Sequence, residues 1–324
     1  MPKVRVYGRE LRISGDEADA YYRHLVGCHD ATDAVLQAIR PVVGEDSVCL
    51  DVGANLGLYS LALGLLAPRG RVYAVEPSPR AFRWLVANIE ANRASHVEAF
   101  QTALGDHEGV VGFHEFPFFT AGSFGADQRS CITSEAVGSV PVEVPITTLD
   151  RFVERHRVGP VDVVKIDVEG AEIAVLEGAR ETLARDRPTV LLEFNSFGLT
   201  AHHGVVPHVA LSRIQEIFPH VFVIGRGDGS LARLSTASEA YQFLYKNGIH
   251  GPTDNLLCSF ADLPVTRPFR FPDDGDGTEP SVDAASAVAE LEAMRRTVSW
   301  RVTAPLRAVR AAIDRSPLRL RRKP

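Results

Sequence analysis

The sequence lacks the features that would place the protein in a membrane or in an oxidising compartment. Its 324 residues contain no apolar run of about 18 residues, and its first residues lack the apolar stretch of a secretory signal. The four cysteines lie far apart and form no C-x-x-C pair, which argues against a zinc cluster and a disulfide framework. We therefore expect a cytoplasmic protein whose cysteines are buried thiols.

Positive charge is scarce along most of the chain and concentrated at its end. The formal net charge is −6, yet residues 301–324 contain eight Lys or Arg against one Asp. The acidic body offers no electrostatic footprint for DNA or RNA, so we expect no nucleic-acid partner. Hydrophobic residues make up 45% and charged residues 23% of the chain, as in ordinary globular proteins.

Short apolar strands alternate with helical patterns from residue 47 onward. Strands are predicted at 47–52, 71–76, 97–103, 161–166 and 189–194, with helices starting at Ser78-Pro79 and covering 169–186. Segments 220–224 and 255–260 should complete the sheet with an antiparallel edge, and 108–144 should form hairpins over it. This alternation predicts an α/β fold with a doubly wound, mostly parallel sheet.

Composition divides the chain into four segments. Residues 1–46 form a partly helical lead-in, 47–263 the α/β domain, and the Pro-, Asp- and Gly-rich segment 264–281 a linker. Residues 282–324 are predicted as a C-terminal helical extension with a basic amphipathic tail. In the tail, apolar residues recur at helical spacing between arginines, as an interfacial helix requires; a solvated, disordered tail is the alternative.

A turn of small residues follows the first predicted strand and reads Asp51-Val52-Gly53-Ala54-Asn55-Leu56-Gly57. Small residues before a helix let the backbone approach a ligand. Only the first glycine of a G-x-G-x-x-G dinucleotide fingerprint is present, which disfavours a pyrophosphate. Asp51 would repel a phosphate but attract an ammonium and a sulfonium, the two positive charges of S-adenosylmethionine (SAM).

Glu76, at the end of the second predicted strand, is placed to accept hydrogen bonds from both hydroxyls of a ribose. Together with the turn it predicts a SAM site. The alternative is structural: Asp51 caps the following helix and Glu76 is solvated.

Acidic residues also end the fourth and fifth predicted strands. Asp167 and Glu193 face the expected substrate mouth, where either could act as a base or bind Mg²⁺ with Asn195, although the sequence does not favour a metal. In the alternative, Asp167 and its neighbour Glu169 only organise the helix that follows, and Lys165 neutralises them.

Two further groups of residues are candidates for catalysis or acceptor binding. His202, in a predicted loop after the fifth strand, could exchange a proton near neutral pH, unless it is a surface or capping histidine. An aromatic cluster could form a lid or a sugar platform, or simply pack in the core; it comprises Phe113, Phe116, Phe118, Phe119 and Phe124.

These motifs resemble the FkbM family of SAM-dependent methyltransferases over residues 45–260. Three parts recur in order: the Asp-x-Gly-Ala-Asn-x-Gly turn, Glu-Pro-Ser after the second strand, and the later Lys-Ile-Asp-x-Glu-Gly segment. The resemblance implies a class I, Rossmann-like methyltransferase fold and O-methylation. It also implies a SAM site formed by the turn and by the residues that follow the second strand, with two further residues near the adenine. The turn and strand residues are Asp51, Gly53, Ala54, Asn55, Gly57, Glu76 and Ser78. The residues near the adenine are Ala103 and Leu104.

The residues around Trp300 resemble tails of bacterial enzymes of surface-polysaccharide assembly. This second resemblance favours a sugar or glycan hydroxyl as the methyl acceptor. A polyketide, peptide or lipid hydroxyl is the alternative acceptor, and a non-catalytic SAM-binding scaffold is the alternative to an enzyme.

The basic tail predicts salt-sensitive association with anionic lipid at the inner membrane face, or with a partner enzyme such as a glycosyltransferase. The full chain should float with anionic vesicles at low salt and dissociate at high salt, whereas a chain ending at residue 280 should not float. Equal behaviour of the two chains in flotation and pull-down would contradict the prediction.

Overall fold

The computed structural model describes residues 1–115, 124–125, 140–250 and 253–269. The first half of the chain contains β1 (Lys3–Val6), β2 (Arg9–Arg12), α1 (Ala20–Gly27), α2 (Ala34–Ile39), β3 (Val48–Val52), α3 (Leu58–Leu66), β4 (Arg71–Val75), α4 (Pro79–Ala91), β5 (Val97–Phe100), β6 (Ala103–Gly105), β7 (Gly109–Glu115), β8 (Phe124–Gly125) and β9 (Val140–Thr148). The second half contains α5 (Leu149–Arg155), β10 (Val163–Ile166), α6 (Glu172–Glu177), α7 (Arg180–Asp186), β11 (Thr189–Asn195), α8 (Ser196–His203), α9 (Pro207–Ile217), β12 (His220–Ile224), β13 (Leu231–Arg233), α10 (Ala237–His250) and β14 (Thr253–Ser259).

Within the described residues, eight strands form the central sheet in the order β13-β12-β14-β11-β10-β3-β4-β5. The five strands from β11 to β5 are parallel, and β14 pairs antiparallel with both β11 and β12. The prediction of a mostly parallel sheet with an antiparallel edge is confirmed. The chain order reverses at β3, which lies between β10 and β4, and such a switch point opens a crevice at the carboxyl ends of the strands.

Apolar residues alternate along the strands and cover both faces of the sheet. Leu50, Val164 and Leu192 pack on one face in a core cluster with residues of α5, α6, α7, α9 and α10. Cys49 and Val163 pack on the other face with residues of α2, α3 and α4. Because helices and a core cluster cover each face, the sheet is doubly wound, as predicted.

This alternation also explains why the charged residues meet. Asp51 lies two residues after Cys49, and Lys165 lies two residues after Val163, so both side chains project from the same face. The strand register then places Lys165 directly beside Asp51. Glu193 follows Leu191 of that face by two residues in the next strand. One side of the sheet therefore gathers these charges at its carboxyl edge.

The predicted third strand, residues 97–103, is divided between two sheets. β5 belongs to the central sheet, whereas β6 pairs with β9 in a second sheet of order β6-β9-β7-β8 among the described residues. β7 and β9 form the antiparallel hairpin expected within residues 108–144. Residues Gln101 and Thr102 belong to neither strand, and the chain changes sheets there.

The prediction of one helix over residues 169–186 is wrong, because the chain forms a loop and then two short helices, α6 and α7. Glu169 and Gly170 have φ angles of 55° and 107°, which a right-handed helix does not allow. At Gly178, between the helices, an added Cβ would lie 1.9 Å from the carbonyl oxygen of Gly105. Close packing on β6 thus requires glycine at the break.

The lead-in, residues 1–46, contains a hairpin of β1 and β2 in addition to helices α1 and α2. Asn88 of α4 holds the segment in place. Its Oδ1 accepts from Ser14 N at 2.7 Å, and its Nδ2 donates to the carbonyl oxygens of Ser14 and Leu56, each at 2.9 Å. Asn92, one turn later, makes a similar pair of bonds with the backbone of Arg12. α4 and its C-cap residue Asn92 thus provide two side chains that fasten the segment.

Several predicted features lie outside the described residues. They include the linker 264–281 beyond Phe269, the C-terminal helix and tail of 282–324, and the side chains of the predicted aromatic cluster. Across the part of the chain that is described, no helix combines the length and apolar character needed to cross a membrane.

Asn88 of α4 and the C-cap residue Asn92 allow a matched stability test. Asn88 is fully buried, so Asn88→Ala leaves backbone groups of Ser14 and Leu56 without their partner, which should lower the free energy of unfolding by about 2–4 kcal/mol. Asn92→Ala removes similar bonds at a more exposed position and should cost about 1 kcal/mol or less. Urea unfolding measures the free energy of unfolding of both variants. Equal losses of stability would contradict the expectation that the buried bonds of Asn88 contribute more than the exposed bonds of Asn92.

Candidate active site

A cavity of about 530 Å³ opens at the carboxyl edge of the sheet. The turn after β3, the end of β4 and the ends of β10 and β11 form its walls. Side chains from α1 and from the segment before α2 also line it. The strand ends contribute Gly53, Ala54, Asn55, Glu76, Asp167, Glu193 and Asn195.

The turn after β3 requires glycine at two positions for steric reasons. Gly53 has φ 81°, and a Cβ there would lie 1.8 Å from the carbonyl oxygen of Asp167. Gly57 has φ 89° and begins α3, where a Cβ would lie 2.6 Å from Leu85. The first glycine lets the backbone lie against the end of β10, and the second lets α3 pack on α4.

Glu76 lines the cavity and holds this turn. One of its carboxylate oxygens accepts from Asn55 N and the other from Ser78 N, each at 2.8 Å. Burial raises the pKa of Glu76 to about 7 despite these two bonds. The folded chain therefore binds this proton more tightly than the unfolded chain, and the resulting stability is lost as the pH rises through about 7.

Lys165 is buried between two carboxylates. Its Nζ lies 3.3 Å from Asp51 Oδ1 and 3.2 Å from Asp167 Oδ2, and it is 3.4 Å from the carbonyl oxygen of Gly53. Asp51 is fully buried and also accepts from Ser60 Oγ at 2.6 Å. Asp51 thus lies behind the cavity wall, where it orients Lys165 and the helix that follows the turn.

One wall of the cavity is acidic. Asp167, Glu169 and Glu193 each offer a carboxylate oxygen within 4.8 Å of the others. Burial, and then the charge of Asp167, raise the pKa of both Glu169 and Glu193 well above the usual value. Glu172 closes the loop beneath them, since its Oε1 accepts from Val168 N and Gly170 N.

The N-terminal segment forms a wall that the sequence did not reveal. Tyr21, His24 and Cys28 of this segment line the cavity opposite the strand ends. Asp33 accepts a hydrogen bond from Tyr59 of α3, which also lies under the Lys165 ammonium at 4.9 Å. No motif in residues 1–33 pointed to the cavity, because the contact exists only after the hairpin docks on α4.

The structure does not bring every predicted site residue to the cavity. Ser78 caps α4 by accepting from Ala81 N, and its hydroxyl donates to Glu115. Ala103 and Leu104 pair with β9 in the second sheet and are not among the cavity-lining residues. Asn195 lines the cavity, but its Oδ1 caps α8 by accepting from Gly198 N.

His202 lies in the last turn of α8 and not in a loop, because Asn195 caps a helix over residues 196–203. The imidazole packs edge-on against Phe197 and is not among the cavity-lining residues. Burial, and then the neighbouring His203, lower the pKa of His202 to about 4. The imidazole is therefore neutral at physiological pH.

The central sheet is doubly wound, a glycine turn follows its first parallel strand, β3, and the acidic residue Glu76 follows the next strand, β4. These features define a class I SAM-dependent methyltransferase domain. The sequence matches the model of the methyltransferase FkbM domain over residues 51–217, about half of the chain. The chain therefore belongs to the FkbM methyltransferase family, as its motifs predicted.

Curated relatives align over parts of the chain. Methyltransferase 1 of Beauveria bassiana is 29% identical over 41% of this chain and 59% of its own length. The hexuronic acid methyltransferase AglP of Haloferax volcanii is 27% identical over 56% of this chain and 68% of its own. The 2-O-methyltransferase NoeI of Sinorhizobium fredii is 27% identical over 59% of this chain and 80% of its own length. The chain thus spans less than two thirds of the fungal relative.

Ionisation of Glu76 should control cofactor affinity, because a carboxylate accepts from both ribose hydroxyls and forms stronger, charge-assisted hydrogen bonds than the carboxylic acid does. Binding of S-adenosylhomocysteine should tighten about tenfold between pH 6 and pH 8, as the carboxyl with its pKa of about 7 ionises. Calorimetry of Glu76→Gln should show weaker binding without this pH dependence. Glu98→Gln, on the neighbouring strand and outside the cavity, is the control and should bind like the unaltered chain.

Proposed function

We propose that the protein transfers the methyl group of SAM to a hydroxyl oxygen of a sugar or glycan. The observation that carries the proposal is one cavity that contains the parts of both a cofactor site and an acceptor site. The Gly53 turn and Glu76 suit the amino acid and ribose of the cofactor, and the carboxylates of Asp167 and Glu193 line the same cavity. A hydroxyl held beside these carboxylates would meet both a methyl donor and a proton acceptor.

The reaction is a direct displacement at the methyl carbon. A lone pair of the acceptor oxygen forms the new C–O bond while the C–S bond breaks, and its electron pair stays on sulfur as a neutral thioether. The hydroxyl proton passes to a carboxylate, so the products are the methyl ether, S-adenosylhomocysteine and a protonated acid. The enzyme must chiefly align the oxygen and take up its proton.

Glu193 is the better proton acceptor of the two predicted carboxylates. Asp167 is already engaged in an ion pair with the Lys165 ammonium. Glu193 has no ion pair within the described residues, and its Oε2 is buried without a hydrogen-bond partner there. We assign proton uptake to Glu193, and to Asp167 the positioning of the acceptor.

Two features support a sugar hydroxyl over other acceptors. One relative is named for a hexuronic acid and another for 2-O methylation, and the residues around Trp300 resemble polysaccharide-assembly tails. The cavity also combines tyrosines with carboxylates and the amide Asn195, a mixture that can pack against a sugar ring and bind its hydroxyls.

Labelled SAM offered with a panel of oligosaccharides and sugar nucleotides tests the proposal. Methyl transfer should appear on a sugar hydroxyl, and Glu193→Gln should lower kcat about 10²- to 10⁴-fold because the proton acceptor is lost. Binding of S-adenosylhomocysteine should stay within about threefold, because Glu193 belongs neither to the Gly53 turn nor to the end of β4 that would bind the cofactor. Glu216→Gln, an exposed change on α9, is the control and should keep full activity.

Transfer to a polyketide, peptide or lipid hydroxyl and to no sugar would refute the acceptor while keeping the chemistry. Tight cofactor binding without turnover on any acceptor would instead indicate a SAM-binding scaffold. Failure to bind SAM would overturn the whole proposal.

A further inference from the structure

We propose that Asp167, Glu169 and Glu193 bind one divalent cation of the oxygen-preferring class, such as Mg²⁺, Mn²⁺ or Ca²⁺. A carboxylate oxygen from each residue lies within 4.8 Å of the other two. The sequence had suggested Asn195 as the third ligand, but its side-chain oxygen is engaged in the cap of α8. Glu169 takes that place, because the loop after β10 brings it beside the ends of β10 and β11.

The spacing of these oxygens suits a hard cation. Oxygens on opposite sides of an ion are about 4.2 Å apart for Mg²⁺ and about 4.8 Å apart for Ca²⁺, given ligand distances of about 2.1 Å and 2.4 Å. Three oxygens within 4.8 Å of one another are therefore close enough to coordinate one such cation after small side-chain movements. The set is purely carboxylate, which favours these ions over zinc or copper.

A buried oxygen without a partner is an independent sign of a missing ligand. Glu193 lines the cavity, and its Oε2 is inaccessible to solvent and has no hydrogen-bond donor among the described residues. A buried carboxylate oxygen left without a donor is costly, and a bound cation would compensate it.

The cavity is lined by more acidic than basic side chains, which also favours a bound cation. Lys165 is the only Lys or Arg that lines the cavity within the described residues, and it already contacts both Asp51 and Asp167. It uses one oxygen of Asp167, Oδ2, so Oδ1 is left for a second cation. Glu169 and Glu193 have no salt bridge with Lys, Arg or His in this part of the chain, so a divalent ion would offset their repulsion.

A cation at this position would lie where the acceptor enters. The three ligands leave part of its coordination sphere open toward the cavity, where oxygens of the acceptor could complete it. Each carboxylate has two oxygens, so Glu193 can bind the ion through one and take up a proton with the other. The cation would then orient the hydroxyls of the acceptor. Its positive charge would also reduce the repulsion between the acidic cavity and a negatively charged sugar.

Cation binding can be measured without any methyl transfer. The full chain is freed of metal with a chelator, dialysed and titrated with Mn²⁺, and free Mn²⁺ is followed by its electron paramagnetic resonance signal. One Mn²⁺ should bind per chain and be displaced by Mg²⁺ or Ca²⁺. Glu169→Gln and Glu193→Gln should each weaken the binding at least tenfold.

Glu181→Gln, an exposed change on α7, is the matched control and should bind Mn²⁺ like the unaltered chain. Binding of S-adenosylhomocysteine by each variant shows that it is folded, and Glu193→Asp replaces Glu193→Gln if that variant does not fold. Absence of stoichiometric Mn²⁺ binding by the unaltered chain overturns the proposal, as does unchanged binding by both Gln variants. Because the readout is binding alone, failure of methyl transfer would not overturn it.

Discussion

The ammonium of Lys165 links the cofactor turn to the acidic wall of the cavity. It contacts Asp51 behind the turn and Asp167 in the acidic wall, and it approaches the carbonyl oxygen of Gly53. A charge that is 96% buried is stable only while paired, and removing one partner of such an arrangement typically costs about 3–5 kcal/mol. Both halves of the site therefore depend on one side chain whose position follows from the register of β10 on β3.

Contact between the two backbones makes this arrangement rigid. The Cα of Gly53 faces the carbonyl oxygen of Asp167 so closely that no side chain fits between them. The turn that would bind the cofactor and the strand end that would meet the acceptor are thus held at a constant separation. A reaction that depends chiefly on alignment needs such a fixed distance.

Burial gives the acidic residues properties that they would not have in water. Glu76 and Glu172 both have pKa values of about 7, and those of Glu169 and Glu193 are raised well above the usual range. A positively charged ligand beside any of these groups would favour its ionised form. The sulfonium of a cofactor and a divalent cation would serve the same electrostatic need.

Local sequence determined the strands, the cofactor turn and the family, because each depends on neighbouring residues. The alternation of apolar residues, the glycines at 53 and 57 and the Ser78 cap of α4 act over a few positions and could be read directly. The sequence also implied that Asp51, Lys165 and Glu193 project from one face of their strands, because each follows an apolar residue of that face by two positions. Only the strand register showed that these side chains are neighbours. Only the tertiary structure decided that residues 20–33 form a cavity wall and that Glu169 joins the acidic cluster. The docking of a distant hairpin on Asn88 and a left-handed loop after β10 decide these positions, and neither leaves a periodic signal in the chain.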